Sequence, residues 1–271
     1  MTVRDISLRL KEAGIPDHMY ESRILMSFFS GKSMSSLLAD PGFDLSSEEL
    51  ESAVRRRCGR YPLQYIIGSW EFCGLTFEVD ENCLIPRQDT EVIVEYALKT
   101  AGPDSEVLDL CTGTGCILAS VLKLSGNVRG TAVELSPGAA AVAGRNFSRL
   151  GLDCRLITGD IRRDLLGPGD MFDIITCNPP YIDIKEMPSL QPELAFEPES
   201  ALTDGGDGLS LIEAAVSNYS PHLKSTGVMV IEHGYDQSEK VSAIARRHGL
   251  ESEVILDYGG RKRGAALRHK E

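Results

Sequence analysis

The chain has 271 residues and carries 28 Lys and Arg against 40 Asp and Glu, a formal net charge of −12, with 42% hydrophobic and 25% charged residues. That is ordinary globular composition, with room for one large domain or for a small one and a standard one. The acidic balance argues against a protein that holds duplex nucleic acid by neutralising phosphates, and without a run of 18 apolar residues no membrane span is predicted. Residues 1–10 mix charged and apolar side chains, so no signal-peptide core is read there. Cysteines stand at 58, 73, 83, 111, 116, 154 and 177. The count is odd and no Cys-x-x-Cys occurs, which argues against a disulfide framework or a structural zinc site. The five histidines lie far apart, and no metal is expected. Reduced, mostly buried thiols fit a cytoplasmic protein.

The first sixty residues read as short amphipathic helices. Thr2 and Asp5 form an N-terminal cap, followed by Ile6, Leu10 and Ala13 at helical spacing before Gly14. Asp17 caps a second helix with an apolar face of Tyr20, Ile24, Leu25 and Phe28, ended by Gly31. A short piece runs from Ser33 to Leu38. Ser46 and Glu49 make a capping-box pattern, followed by Leu50, Val54 and Cys58 and stopped by Gly59. The basic run Arg55–Arg57 reads as a solvated helix face. After Pro62, the apolar residues Trp70, Phe72, Leu75, Phe77 and Val79 around Cys73-Gly74 predict a β-hairpin that links two domains.

From Pro86 on, strands alternate with helices. Helices are predicted over 90–99, 116–124, 136–150, 209–219 and 236–247. Strands are predicted over 107–110, 131–134, 155–158, 172–177, 227–232, 252–257 and 264–268. Such alternation predicts an α/β fold with a mostly parallel sheet covered on both faces. The intervening loop 183–207 is long enough to suggest a functional role.

Ligands of open α/β sheets bind at the carboxyl ends of strands. The segment Cys111-Thr112-Gly113-Thr114-Gly115 sits there, between the first strand and its helix. No Gly-Lys-Ser/Thr follows, which excludes a P-loop. Gly113 and Gly115 begin a G-x-G-x-x-G match, but Leu118 stands where a small residue should allow close helix–strand packing, which disfavours NAD. Glu134 ends the next strand and can accept hydrogen bonds from a ribose diol. Asp160 follows the third strand and can bind an exocyclic adenine amine, while Ile161 offers an apolar face to the ring. This set suits S-adenosylmethionine.

The strand Phe172–Cys177 runs into Asn178-Pro179-Pro180-Tyr181. Two prolines end strand pairing and stiffen the loop. A planar amide or aryl NH2 is a poor nucleophile because its lone pair is delocalised. The Asn178 side-chain oxygen and the Pro179 carbonyl can each accept one of its N–H groups, and Tyr181 can pack on the flat group. Catalysis would then rest on orientation and preorganised electrostatics, without a metal.

The Asn-Pro-Pro-Tyr motif and its Gly-rich turn resemble those of class I methyltransferases that modify planar nitrogens. Pro62-Leu63-Gln64-Tyr65-Ile66-Ile67-Gly68, Glu71-Phe72-Cys73-Gly74 and Ile85-Pro86-Arg87-Gln88-Asp89-Thr90-Glu91 narrow the resemblance to the peptide chain release factor glutamine methyltransferases. So do Phe196-Glu197-Pro198, Ala201-Leu202, Glu232-His233-Gly234, and Asp257-Tyr258-Gly259 with Arg263. The resemblance covers most of the chain from residue 62. It implies a Rossmann-like, seven-stranded, mostly parallel sheet in a methyltransferase domain at 86–271. A small helical substrate-recognition domain at 1–61 and a β-hairpin linker at 62–85 would precede it.

It also implies methyl transfer from S-adenosylmethionine to the glutamine amide of the Gly-Gly-Gln motif in class 1 release factors. Cys111, Thr112, Gly113, Thr114, Gly115, Glu134, Asp160, Ile161 and Asn178 are then the expected cofactor residues. Asn178, Pro179, Pro180 and Tyr181 are the expected substrate residues, with Asn178, Pro179 and Tyr181 catalytic. The implied partner is a release factor, with no membrane and no stable nucleic-acid complex, and a monomer is expected. The family usually has Gly where this chain has Cys111, and some members carry Trp at Ile161. Nucleic-acid N-methyltransferases share the Asn-Pro-Pro-Tyr motif and are the alternative, as is a binding module inactivated through Cys111. Three smaller expectations complete the reading: an Arg87–Asp89 ion pair or an Asp89 or Thr90 helix cap, Glu197 and Pro198 shaping the substrate loop, and a structural His233 beside Glu232.

Overall fold

The computed structural model describes residues 1–270. The chain forms two compact units, Met1–Ser69 with Gln191–Phe196, and Trp70–Leu190 with Glu197–Glu271. None of the described helices is long and apolar enough to cross a membrane.

The first unit is helical: α1 (Val3–Glu12), α2 (His18–Ser30), α3 (Met34–Ala39), α4 (Glu48–Cys58) and α5 (Leu63–Ile67). Thr2 and Asp5 close the expected capping box on α1. Gly31 ends α2 in the left-handed region, at φ 69°, where a Cβ would be strained. Ile6, Leu10, Leu25, Met26, Leu50 and Val54 form the buried centre.

Four readings are corrected here. The α2 face is rotated: Leu25 and Met26 are buried, while Tyr20 and Phe28 are about half exposed. Asp17 makes no side-chain cap. The α4 cap is Ser47, whose hydroxyl accepts from the Leu50 amide, so the box begins one residue later than Ser46. Arg57 is not solvated. It is buried, donates to both Glu21 oxygens at 2.5 and 3.0 Å and to Glu193 at 2.9 Å, and Arg60 donates to the other Glu193 oxygen. A buried guanidinium is tolerable only with its donors satisfied, and Glu21 and Glu193 provide two such carboxylates.

The hairpin is β1 (Ser69–Phe72) and β2 (Leu75–Glu78). Its turn residues Cys73 and Gly74 both have positive φ, 48° and 72°, as the twist of a two-residue hairpin requires. Then follow α6 (Glu91–Thr100), β3 (Glu106–Leu110), α7 (Cys116–Ser125), β4 (Arg129–Glu134), α8 (Pro137–Arg149), β5 (Cys154–Thr158) and β6 (Phe172–Cys177). The rest is α9 (Ser210–Tyr219), β7 (Leu223–Glu232), α10 (Ser238–Arg247), β8 (Leu250–Leu256) and β9 (Lys262–His269). The long loop carries three short 3-10 helices, Met187–Ser189, Pro192–Phe196 and Glu199–Ala201.

Seven strands form one sheet in the order β5-β4-β3-β6-β7-β9-β8. The first five are parallel, and β9 is antiparallel to both neighbours. Apolar residues alternate between its faces. Val107 and Ile174 join the layer under α6 and α7, whereas Leu108, Leu110, Ile175 and Cys177 join the layer under α9 and α10. The chain order reverses at β3, whose neighbours are β4 and β6. That reversal opens a crevice at the strand ends.

Leu118 explains the incomplete glycine pattern. It is fully buried in the first layer and faces Gly130 of β4, where a Cβ would lie 3.1 Å from Leu118 and 2.8 Å from Leu122. The small residue needed for close helix–strand approach sits on the strand.

Candidate active site

Parallel β3 and β6 are in register, with Leu110 beside Cys177. The Cys111–Gly115 turn and Asn178–Tyr181 therefore leave the sheet side by side. The turn winds through left-handed backbone at Cys111, Gly113 and Gly115, with φ of 57°, 56° and 79°. A Cβ on Gly113 would have no atom within 4 Å, so a ligand can lie directly against this backbone. Gly115 serves another purpose. A Cβ there would come within 2.7 Å of Phe147, so this glycine lets α7 start close to α8.

Asp109 anchors the turn from below. It is fully buried and accepts from the Thr112 hydroxyl at 2.5 Å and the Thr176 hydroxyl at 2.7 Å. Burial pushes its carboxyl up to about 6 against the pull of these donors. Sequence reasoning missed Asp109, although one acid in an apolar strand was the available signal.

Glu134, at the end of β4, accepts from the Gly113 amide at 2.8 Å and the Ser136 amide at 2.9 Å. One donor fixes each oxygen, and each oxygen retains a second acceptor site. Asp160 accepts from the Arg162 amide at 2.9 Å. One cleft is lined by Cys111, Thr112, Gly113, Thr114, Glu134, Asp160, Ile161, Asn178 and Pro180. Pro86, Arg87, Thr90, Pro198, Ser200 and Ala201 are among the other residues that line it. The residues expected to contact the cofactor thus converge, apart from Gly115. Pro179 and Tyr181, expected at the substrate, are not among the residues that line the cleft.

Asn178 donates from Nδ2 to Thr90 Oγ1 at 3.5 Å. The Tyr181 hydroxyl donates to Glu232 Oε1 at 3.0 Å, and its backbone carbonyl accepts from Gln237 Nε2 at 2.9 Å. Gly208 packs against that carbonyl so closely that a Cβ would fall 1.9 Å from the oxygen. Burial, reinforced by the Glu232 charge, holds the Tyr181 phenol far above its usual value, so it remains a neutral donor. Burial raises the Glu232 carboxyl as well, against hydrogen bonds from Thr90 and Tyr181.

The ion pairs differ from the sequence expectation. Arg87 pairs with Glu197, whose other oxygen accepts from the Ile85 amide at 3.0 Å. Asp89 instead accepts from Arg263 at 2.9 Å, and Arg263 also reaches Asp257 at 3.2 Å. Arg87 and Glu197 are 110 residues apart and Asp89 and Arg263 are 174 apart, so local spacing carried no sign of these two pairs. Thr90 makes no side-chain cap on α6; its hydroxyl faces Asn178 and Glu232. His233 donates from Nδ1–H to the Gly234 carbonyl, 2.7 Å away, and its Nε2 is buried without a hydrogen-bond partner.

Residues 2–68 match the family described as PrmC N-terminal domain, and residues 88–232 match the family described as Methyltransferase small domain. The release factor glutamine methyltransferase of Geobacter sulfurreducens is 40% identical over 246 residues, covering 89% of this chain and 86% of that protein. The protein of the same name from Moorella thermoacetica is 34% identical over 264 residues, covering 94% and 93%. Among solved structures, a methyltransferase from Pyrococcus furiosus superimposes with a TM-score of 0.54 at 20% identity, over 72% of this chain and 88% of that one. The ribosomal protein L11 methylase from Lactobacillus delbrueckii subsp. bulgaricus gives 0.52 at 18%, over 71% and 84%. These two likenesses establish the class I methyltransferase fold. With identities of this size running through both units, the chain belongs to the release factor glutamine methyltransferase family.

Proposed function

We propose that this protein methylates the side-chain amide nitrogen of the glutamine in the Gly-Gly-Gln motif of class 1 peptide chain release factors, using S-adenosylmethionine. The observation that carries this reading is the placement of Asn178 on the wall of the cleft whose far side holds Glu134. The methyl donor and the acceptor nitrogen would meet between them.

The cleft fits the cofactor. Open space beside Gly113 admits a ligand against the turn. Glu134, oriented by two amides, offers its remaining acceptor sites to a ribose diol. Asp160 and Ile161 supply a polar and an apolar contact suited to adenine. When bound, the cofactor supplies an electrophilic methyl group on a cationic sulfur.

Asn178 Oδ1 and the Pro179 carbonyl would each accept one N–H of the substrate amide. That pair orients the nitrogen and raises its electron density while it attacks. Pro179 and Pro180 fix φ, so the acceptors need little reorganisation during the reaction. Tyr181, tethered at its hydroxyl and its carbonyl, holds the loop at a constant angle to β7. The proton released on methylation leaves a nitrogen that is strongly acidic once alkylated, so no dedicated base is needed.

Incubation of purified protein with labelled S-adenosylmethionine and either release factor or RNA tests the reading. Label is expected in the factor, on the Gly-Gly-Gln glutamine. Label in RNA and none in the factor overturns it.

A further inference from the structure

The described residues between β5 and β6, 159–171, contain neither helix nor strand, although a crossover between parallel strands usually brings a helix of its own. This stretch starts inside the cleft, where Gly159, Asp160 and Ile161 are all lining residues. The Asp160 carbonyl accepts from the Arg163 amide at 3.0 Å, so 160–163 is a single tight turn. It carries the Asp160 carboxylate and the Ile161 side chain. Its support comes from later in the chain, at the end of α9. Asn218 Nδ2 donates to the Ile161 carbonyl at 3.0 Å, and the Tyr219 hydroxyl donates to the Arg163 carbonyl at 2.9 Å. Farther along, the Asp170 carbonyl accepts from His222 Nδ1 at 2.8 Å. Tyr219 is fully buried and continues an α9 face of Leu211, Ile212, Ala215 and Val216. A hydroxyl at such a place is tolerated only with a partner, and the carbonyl of the turn is that partner.

We infer that Asn218 and Tyr219 are positioning residues for the base of the cofactor. By fixing two carbonyls of the turn 160–163, they hold Asp160 and Ile161 where adenine is read, and so set the preference for a base with an exocyclic amine. This rests on the reading of Asp160 and Ile161 as the adenine contacts. Packing alone does not fix the turn. Ile161 is buried in the apolar layer under α9 and α10, which holds its side chain but leaves the peptide groups free to rotate. Two hydrogen bonds to alternate carbonyls remove that freedom. The direction of the Asp160 carboxylate follows, because the Arg162 amide in the same turn donates to it at 2.9 Å. An ionised carboxylate can only accept. It matches the amine of adenine and opposes the 6-carbonyl of hypoxanthine, and that discrimination lasts only while the carboxylate keeps its place.

The test is calorimetric titration with S-adenosylhomocysteine and with S-inosylhomocysteine, which has a carbonyl in place of the amine. It compares the wild type with Asn218→Ala, Tyr219→Phe, Asp160→Ala and the double variant Asp160→Ala/Tyr219→Phe. The wild type should prefer the adenine compound by about ten- to hundredfold, the range of one hydrogen bond to a charged group. That preference should fall by about three- to tenfold in Asn218→Ala and in Tyr219→Phe, the size of coupling between neighbouring residues. It should be nearly absent in Asp160→Ala, and Tyr219→Phe should take nothing further from it in the double variant. A merely structural loosening would weaken both compounds alike and leave their ratio unchanged. Tyr219→Phe keeps the buried ring and Asn218→Ala trims a half-buried side chain, so either variant carries the test if the other fails to fold. A wild-type ratio in either α9 variant, with the ratio lost in Asp160→Ala, overturns the inference and leaves the adenine contact standing. A Tyr219→Phe effect undiminished in the Asp160→Ala background overturns it as well. A wild-type ratio in Asp160→Ala refutes instead the placement of Asp160, on which the inference rests, and a wild-type protein that binds neither compound refutes the reading of the cleft.

Discussion

Glu134 Oε2 accepts the backbone amide of Gly113 across 2.8 Å, so the end of β4 and the turn after β3 share one carboxylate. Glu134 therefore shapes the turn as well as facing the ligand. Replacing it by alanine should remove both the proposed ribose acceptors and the tie to Gly113. Cofactor affinity should fall by about 3–6 kcal/mol, the value of two hydrogen bonds to a charged group. Glu134→Gln should lose less, since one oxygen remains to hold an amide. Calorimetric titration with S-adenosylhomocysteine checks both, and equal affinity in Glu134→Ala and wild type would refute the placement.

Asn178→Ala should abolish transfer while cofactor binding persists. The expected loss in turnover is about a hundredfold or more, the usual cost of deleting one preorganised polar group at a reacting centre. Single-turnover methylation of a release factor gives the rate, and a parallel titration gives the cofactor affinity. A variant with ordinary turnover would remove Asn178 from the chemistry.

Cys111 holds φ 57°, a left-handed conformation that costs a side-chain-bearing residue about 1–2 kcal/mol. Glycine, usual at this place in the family the sequence resembles, has no such cost but a larger entropy of unfolding, about 0.5–1 kcal/mol. The two offset in part. Cys111→Gly should be neutral or stabilising by up to about 1 kcal/mol, whereas Cys111→Ala, which keeps the strain, should not stabilise. Denaturant unfolding of the pair separates strain from the loss of sulfur.

Asp109 gives a pH signature. Its carboxyl is raised from 3.8 to about 6 in the folded protein, so the folded state binds its proton more tightly than the unfolded chain does. Its contribution to stability is therefore full below about pH 4 and is lost as pH rises through about 6. The difference in unfolding free energy between wild type and Asp109→Asn should move toward wild type by about 3 kcal/mol from pH 7 to pH 4. A difference that is flat across that range would show that Asp109 ionises normally inside the protein.

Gly208 has φ 76° and stands against the Tyr181 carbonyl. Gly208→Ala cannot be accommodated there without moving backbone. Displacement of the loop behind Asn-Pro-Pro-Tyr should reduce turnover far more than cofactor affinity. Thermal unfolding together with steady-state kinetics distinguishes this from general loss of fold, which would lower both.

Elements with strong local signals were legible in the chain. The strand Phe172–Cys177 was readable to the residue because an apolar run meets two prolines that cannot continue a ladder. The capping box at Thr2 and the turn at Cys73-Gly74 were equally local. Long-range pairings were not. Arg57 meets Glu193 across 136 positions and Arg263 meets Asp89 across 174, so the basic run looked solvated and Asp89 looked like a partner for Arg87. The Thr90 hydroxyl was read as a cap because Ser and Thr at helix starts usually are. Its use by Asn178 depends on β6 arriving beside α6. In the site, the residue types were legible from their chemistry, while the supporting set of Asp109, Thr90, Gln237 and Arg263 was not.

The facing pair Leu118 and Gly130 has a wider meaning. Helix α7 and strand β4 share one pocket of volume, and only one of them can fill it. A pattern that inspects the helix alone treats Leu118 as a missing glycine, although the close approach is intact. Sequence drift at such a contact is expected to be paired. Leu118→Gly alone would leave a void and Gly130→Ala alone a collision, but a smaller residue on the helix makes a larger one on the strand tolerable. Signatures of nucleotide-type turns are therefore better written over both surfaces of the contact than over a single run of residues.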